Sequence, residues 1–461
     1  MNKAIQDKIL LYDDLLRKLE VLKNENKTIV HTHGIFDLIH PGITEQLHSA
    51  KAQGDILVVT ISKSNGFHQG TSGPLFHEQY RAENVASLEY VDYVSIVDED
   101  KTFDTSITLQ DKFIAVYNPE LNNFLASFSK KYTYDSIIER INSIKDINIL
   151  LIGDGIIDEY YYCESMYKSS KAPIVVHKYL SHEIFTGGVF AVANHCAEIC
   201  DNIQLLTLLG QEDSREEFIM EHLNPKIKSK FFFRKDGPTI IKKRYINQCV
   251  NQKLFEINYL NNSYINTSCE TEIINYLTTE ASGYDIVIVC DFGHGLITNN
   301  IIKVIEKESK KFAVNTQNNA ANAGYNMITK YHNPNFVCLD EHEIRWAAQE
   351  RFAPIEEVAA QISKKIECEY LIVTLGKRGS FGIAKNGESN STPVFSSNVV
   401  DTVGSGDAFF AYTAPYSAYN MPLDFISFLG NAVGALAVQI MGNRQSVKKQ
   451  DLFEFIHSMV D

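Results

Sequence analysis

The chain has 461 residues, 44% hydrophobic and 22% charged, enough to bury large cores and long enough for two domains. A formal net charge of −14 argues against nucleic acid or an anionic membrane as partner, although local basic clusters could still hold phosphates. The eight cysteines form no C-x-x-C pair, and no signal peptide or apolar run of membrane length is seen, so a cytoplasmic protein with reduced thiols is expected.

Residues 1 to about 27 read as one amphipathic helix, with Ile5, Ile9, Leu10, Tyr12, Leu15, Leu16, Leu19 and Leu22 at three- and four-residue steps. A strand from Thr28 runs into His31-Thr32-His33-Gly34-Ile35-Phe36-Asp37-Leu38-Ile39-His40-Pro41-Gly42-Ile43, followed by a helix to about Ala52 and a strand over 55–61. Further strands are expected over 91–97 and 113–117. Strand–helix–strand order with short apolar strands predicts a parallel, doubly wound, Rossmann-type sheet.

Gly34-x-Phe36-Asp37-x-x-His40-x-Gly42 resembles the first motif of cytidylyltransferase-like nucleotidyltransferases, and Asp55, Arg81 and the strand around Val91 fall where that family has comparable residues. In that chemistry a phosphate attacks the α-phosphorus of a nucleotide while imidazoles donate to the oxygens gaining charge. Here Ile43 stands where the family motif has its second histidine, and an isoleucine can donate nothing. Gln69 and the Tyr117-Asn118 pair replace two lysines of the family pattern. The resemblance therefore implies the fold with weak or no transferase activity. His31, His33 and His40 could suggest a metal, but no matching carboxylate completes a set.

A polar segment over 132–144 reads as a helix leading into a new apolar strand over 147–152. The expected division is a transferase-like domain over 1–130, a connecting helix over 131–146 and a second α/β domain over 147–461. In that domain Asp158 follows the first strand, where a carboxylate can take sugar hydroxyls or merely end a turn.

A polar loop over 386–398 precedes Asp401-Thr402-Val403-Gly404-Ser405-Gly406-Asp407 and a small-residue, helical run. Glycines flanking a serine allow a tight turn that aims several N–H groups one way, and a helix start adds its positive dipole end. A carboxylate beside such a cradle can orient an attacking hydroxyl and accept its proton. Asp407 as a simple helix cap is the plainer reading, but five fixed positions of this kind meet by chance in about one window per million.

This motif resembles the signature of ribokinase-family sugar kinases, in which the final Asp is the catalytic base and the glycines form the anion hole. The resemblance extends over nearly all of 147–457 and is nearest to the heptose-7-phosphate kinase module of bifunctional ADP-heptose synthases. It implies a ribokinase-like α/β domain with a small β lid, using ATP and Mg²⁺. It places Asp407 as base, Gly404, Ser405 and Gly406 as anion hole, and Asp158, Gly187, Gly188 and Asn194 around the sugar. Thr374, Gly376, Gly379 and Asn431 fall at the nucleotide, and Glu343 at the metal through water. Asp407 is expected near its ordinary pKa of about 3.9, a weak base that suffices if the proton moves late.

Departures from the pattern bear on the substrate. Ala191 stands for a sugar-contacting Asn, His294 for the lysine of a D-[YF]-G-K-G loop, and Asn315-Thr316-Gln317 for D-P-K. N-x-x-E has become Asp340-Glu341-His342-Glu343. The amide-rich run through Asn318, Asn319, Asn322 and Asn326 is a solvated loop on composition alone, or the rim of a changed acceptor site. Lys377 and Arg378 could face the nucleotide or solvent. The expected function is ATP-dependent phosphorylation of a sugar or sugar phosphate. The alternatives are a kinase/nucleotidyltransferase making an NDP-sugar, its domains in the reverse of the common order, and a non-catalytic sugar or nucleotide sensor. Homodimers through the lid are common in the families resembled.

Overall fold

The computed structural model describes residues 3–25, 27–37, 39, 41–63, 76–97, 114–115, 119–249, 251–320, 322–396 and 399–460. They form two compact units: 1–123 with 163–179 and 246–253, and 124–162 with 180–245 and 254–461.

The first unit holds a parallel sheet of β1 (Ile29–Gly34), β2 (Ile56–Ser62), β3 (Tyr93–Val97) and β4 (Ile114–Ala115), in the order β3-β2-β1-β4. Every residue of β2 after Ile56 is buried, as a strand covered on both faces requires. Val30, Leu57, Val59 and Ile61 pack with Leu47, Ala82 and Val85 from the helices Pro41–Lys51 and Glu78–Ala86. The single N-terminal helix expected from periodicity is instead two, Lys3–Gln6 and Tyr12–Asn24. The break has a physical cause: Leu10 N–H donates to the Val94 carbonyl (2.9 Å) and Val94 N–H to that of Lys8 (2.8 Å), so β3 captures the backbone there. Leu15, Leu19 and Leu22 still pack against Ile29 and Val58.

The second unit is built on nine strands: β5 (Asn148–Gly153), β8 (Asn202–Gly210), β9 (Ile227–Arg234), β12 (Ile286–Asp291), β13 (Phe312–Thr316), β14 (Phe336–Asp340), β15 (Tyr370–Thr374), β16 (Ser380–Ala384) and β17 (Ser389–Thr392). Their order is β17-β16-β15-β14-β13-β12-β5-β8-β9, antiparallel at β16 and β17 and parallel from β15 to β9. β17 lies inside the stretch expected to be a polar loop; its residues alternate exposure and pair with β16, which polarity alone does not reveal. A four-stranded sheet, β11 (Gln252–Tyr259), β10 (Ile240–Asn247), β6 (Gly155–Lys168) and β7 (Val175–Gly188), adds the lid strands that the sequence implied.

Two helix layers cover the nine-stranded sheet. Ile273, Ile301, Ile305 and Ile362 pack on Leu150, Val287, Val314 and Val337 of its strands. The helix Ser405–Ser417 is buried from Asp407 to its end, a helix apolar all round because elements surround it. The order in which strands are added switches from one side of β5 (β8, β9) to the other (β12 onwards), and in such sheets ligands gather at the carboxyl ends of the strands by this switch point. The two strand ends approach so closely that a Cβ on Gly153 would stand 2.3 Å from the Cys290 carbonyl oxygen. The helix Tyr134–Asn142 packs within this second unit, as does Phe128, stacked on Phe428 with centroids 4.1 Å apart.

Candidate active site

A cleft of about 550 Å³ opens at the carboxyl ends of the strands of the second unit. Asp158, Gly188, Gln317, Asp340, Gly404, Ser405, Gly406 and Asp407 all line it, joined by Thr374, Gly376, Gly379 and Asn431. Residues from 158 to 443 are brought together here: Gln317, Asp340, Thr374 and Gly376 at or just beyond the ends of β13, β14 and β15, Gly404 to Asp407 at a helix start, and Asp158 within β6.

The turn at Gly404 is built as its sequence suggests. Gly404 holds φ +83°, and a Cβ there would stand 2.2 Å from Asn443 Oδ1, so no other residue fits without displacement. Ala408 N–H makes the helix's first bond, to the Gly404 carbonyl (2.9 Å), leaving the Gly406 and Asp407 N–H groups ahead of it outside the helical ladder. Ser405 Oγ and Ser405 N–H both turn back to the Thr402 carbonyl (2.9 and 3.4 Å). Asp401 braces the turn: its carboxylate accepts Val403 N–H (3.1 Å), Gly442 N–H (3.1 Å) and the Tyr160 hydroxyl (2.9 Å).

Asp407 is 8% exposed, and its Oδ1 accepts Gln317 Nε2 at 2.6 Å. Burial pushes its pKa up to about 7, with Asp158 adding to the rise and the Gln317 bond and Lys242 opposing it. The sequence expectation of an ordinary carboxylate is corrected here: enclosure by the sheet ends and helices, invisible in a local motif, makes Asp407 a much stronger base.

Asp158 is buried and held from two sides. Arg244 bonds its Oδ1, and Asn443 Nδ2 donates to its Oδ2 at 3.2 Å. Arg244 also pairs with Glu256 at 2.7 Å. Gly187 is needed against it, since a Cβ there would stand 2.1 Å from Asp158 Oδ2. Lys242, also buried in the cleft, has its ammonium pKa pulled below the usual range by desolvation. Motif reading assigns no site role to Lys242, Arg244, Gln317 or Asn443; Gln317 stands out there as a departure from D-P-K, and the fold brings all four to this cleft.

Asn194 departs from expectation. Its amide donates to the His222 carbonyl (3.0 Å) and accepts Asn224 N–H (2.8 Å), and it lines a separate cavity of about 260 Å³ with Arg444 and Lys448. One helical turn from Ala191 therefore does not carry it to Asp158. Asn431 lines the cleft, but both its donor bonds are taken, by Ser380 Oγ (2.6 Å) and the Ser427 carbonyl (2.7 Å). Lys377 lines the cleft, whereas Arg378 is paired with Glu341.

The D-x-x-E segment is a capping box. Asp340 caps the helix Glu341–Ala348 by accepting Glu343 N–H (2.7 Å), and Glu343 Oε2 accepts Asp340 N–H (2.9 Å). Glu343 Oε1 accepts Asn318 N–H (3.0 Å), and burial with the Asp340 charge pushes its pKa up to about 8. The amide-rich run is neither a solvated loop nor a row of free donors. Asn319 and Asn322 donate to the Phe292 carbonyl (2.9 and 2.7 Å), and Asn326 to those of Asp291 and Gln317 (2.8 and 3.1 Å). His294 is buried, burial lowers its pKa to about 3, and its Nε2 has no hydrogen-bond partner among the described residues.

In the first unit, Gly34 ends β1, and Phe36 sits at φ 50° with its ring in the core. Asp37 Oδ1 accepts Phe76 N–H (2.8 Å). Arg81 is fully buried and donates to the carbonyls of Phe76 (2.9 Å), Ser62 (2.8 Å) and Ile35. Ile43 packs against the core, and Gly42 lies in the helix Pro41–Lys51. His40, Gln69 and the Tyr117-Asn118 pair lie outside the described residues. His31 Nε2 and His33 Nδ1 share Thr60 Oγ1 (2.8 and 2.9 Å), and burial drives the His31 pKa to about 3.

Two family profiles match the chain. Residues 31–179 match the cytidylyltransferase-like family. Curated relatives are the bifunctional protein HldE of Trichlorobacter lovleyi, 21% identical over 311 residues, and that of Haemophilus influenzae, 23% over 318. These cover 67% and 68% of this chain but 62% and 64% of the relatives, so the chain spans less than two thirds of their length. Among solved structures, phosphofructokinase-2 from Escherichia coli covers 68% of this chain and 100% of its own, at TM-score 0.57 and 15% identity. Ribokinase from Thermotoga maritima covers 68% and 99%, at TM-score 0.54 and 18% identity, and both likenesses speak to the fold. The pfkB family carbohydrate kinase profile matches residues 150–450, well over half of the chain and all of the cleft, and the chain belongs to that family.

Proposed function

We propose that the chain transfers the γ-phosphoryl group of ATP to a hydroxyl of a sugar or sugar phosphate, and that the unit beginning near residue 147 carries this activity. The observation that carries the reading is Asp407: a buried base, held by a side-chain donor, at the start of a helix whose first turn presents N–H groups in the same cleft as Asp158.

In this reading Asp158, fixed by Arg244 and Asn443, and the backbone at Gly187 and Gly188 orient the acceptor sugar. Asp407 takes the proton of the attacking hydroxyl, and its raised pKa makes it the better acceptor. The N–H groups of Gly404, Ser405 and Gly406 meet the charge of the migrating phosphoryl group, and Lys242 adds a buried cation beside it. Thr374, Gly376, Gly379 and Asn431 hold the nucleotide. Asp340, and Glu343 through water, are the acids that would face Mg²⁺; both Glu343 oxygens already accept backbone N–H groups, which suits an outer position. The ion would neutralise phosphate charge.

The substrate class is a heptose 7-phosphate or a close sugar phosphate, on the likeness to heptose-7-phosphate kinase modules and to the HldE relatives. Bifunctionality is the second reading, favoured by the cytidylyltransferase-like match. Ile43 in place of a donor, and Arg81 engaged by carbonyls, support weak or no nucleotidyl transfer. ADP release from Mg-ATP over a panel of hexose and heptose phosphates, with pyrophosphate release followed in parallel, separates the readings. Sugar-dependent ADP alone supports the kinase; sugar 1-phosphate-dependent pyrophosphate adds the transferase; neither would leave a sensing role.

A further inference from the structure

We propose that Gln317 is a positioning residue for Asp407, and that the amide-rich run 315–326 is the brace that aims it; the proposal rests on Asp407 being the kinase base. Gln317 Nε2 lies 2.6 Å from Asp407 Oδ1. The backbone of Gln317 is itself fixed on both sides. Its N–H donates to the Asp291 carbonyl (2.9 Å), and its carbonyl accepts Asn326 Nδ2 (3.1 Å). Asn326 also donates to the Asp291 carbonyl (2.8 Å), while its Oδ1 accepts Lys330 Nζ (2.6 Å). Asn318 ties the same loop, accepting Gly324 N–H (3.1 Å) and donating to the Asn326 carbonyl (3.2 Å). A glutamine carried so rigidly has one consequence for the base: one carboxylate oxygen is occupied by a neutral donor, and the other is left to the substrate hydroxyl.

The neutrality of that donor matters. The charged and titratable groups acting on Asp407 are Asp158 from β6, Lys242 from β10, Cys290 from β12, and Cys338 and Glu343 at the end of β14 and its helix. Lys242 is the cation among them, and a lysine at 317 would add a second and hold Asp407 ionised to lower pH. A glutamine steadies the carboxylate without abolishing its basicity. The kinase should then lose activity as pH falls through neutrality, when Asp407 takes up a proton.

The test titrates Asp407 in the full-length protein by the infrared carbonyl band of its protonated carboxyl, assigned by its loss in Asp407→Asn. Gln317→Leu removes a hydrogen bond to a charged group and should raise the midpoint by about one pH unit. Gln317→Lys should lower it by about as much, and it keeps the side chain long if the leucine variant folds poorly. Asn326→Ala should raise the midpoint in wild type and add little in Gln317→Leu, since it acts through that residue. Midpoints unmoved by both Gln317 variants would overturn the proposal; an Asn326 effect that persists in Gln317→Leu would overturn the brace. With a turned-over sugar phosphate, the acid limb of kcat/KM should follow the midpoints. Midpoints that move while the limb stays still would leave Gln317 in contact with Asp407 but remove Asp407 as base, and absent turnover would sink the kinase reading alone.

Discussion

Replacing Gly404 by alanine separates two costs that the structure places on one atom. Gly404 holds φ +83°, where an alanine is less stable than glycine by roughly 1–2 kcal/mol. The new methyl would also stand 2.2 Å from Asn443 Oδ1, and forcing a packed neighbour aside costs about 1–3 kcal/mol more. Gly376 supplies the control: its φ is +57°, and a Cβ there meets nothing within 4 Å, so Gly376→Ala should show the backbone cost alone. Gly404→Ala should therefore destabilise by about 2–5 kcal/mol in urea unfolding, against about 1–2 kcal/mol for Gly376→Ala. Adding Asn443→Ala to Gly404→Ala should recover the collision part and leave the strain. In kinase assays Gly404→Ala should lower kcat by about 10²-fold through displaced anion-hole donors. Sugar KM should rise as well, because Asn443 is the partner of Asp158. Equal costs at the two glycines, or no recovery in the double variant, would refute the argument.

The raised pKa of Asp407, about 7 in the fold against about 3.8 when exposed, means the folded state binds this proton more tightly than the unfolded chain. Stability from this group is thus present below about pH 4 and lost as pH rises to about 7, so Asp407→Asn should gain on wild type between those limits, by up to roughly 4 kcal/mol. Thermal midpoints of the two proteins from pH 5 to 8 check the sign; a gap that narrows with rising pH would contradict it. Gly187→Ala, with its methyl 2.1 Å from Asp158 Oδ2, should raise sugar KM at least about tenfold while leaving ATP KM within about twofold. Arg81→Ala takes the donor from the buried Ser62 carbonyl and from the partly buried carbonyls of Phe76 and Ile35, and should cost about 3 kcal/mol in unfolding while ADP release at 25 °C persists. Loss of both would mean that Arg81 matters to more than its own unit.

What the sequence made legible was local. The turn at Gly404, the carboxylate that follows it and Asp158 each sit in a short pattern, although Asp158 lies within β6 rather than at the end of the first strand. Asp407 meets Gln317 across 90 positions, and Asn443 meets Asp158 across 285, and no periodicity records such pairs. The amide-rich run looked like surface because composition counts polar groups without saying which carbonyls they satisfy. Asn194 failed for a related reason: spacing gives the helix turn but not the neighbour, which proved to be the His222–Asn224 segment. The N-terminal helix broke where β3 offered backbone partners to Lys8 and Leu10, a competition that an apolar stripe cannot show.

The central claim is that Asp407 drives phosphoryl transfer to a sugar hydroxyl in this cleft. Its most direct test is sugar-dependent ADP release by wild type and by Asp407→Asn, with ATP binding measured for both by calorimetry. The account predicts turnover with at least one sugar phosphate, lost by about 10³-fold or more in the variant while ATP still binds. Turnover that survives in Asp407→Asn would contradict it.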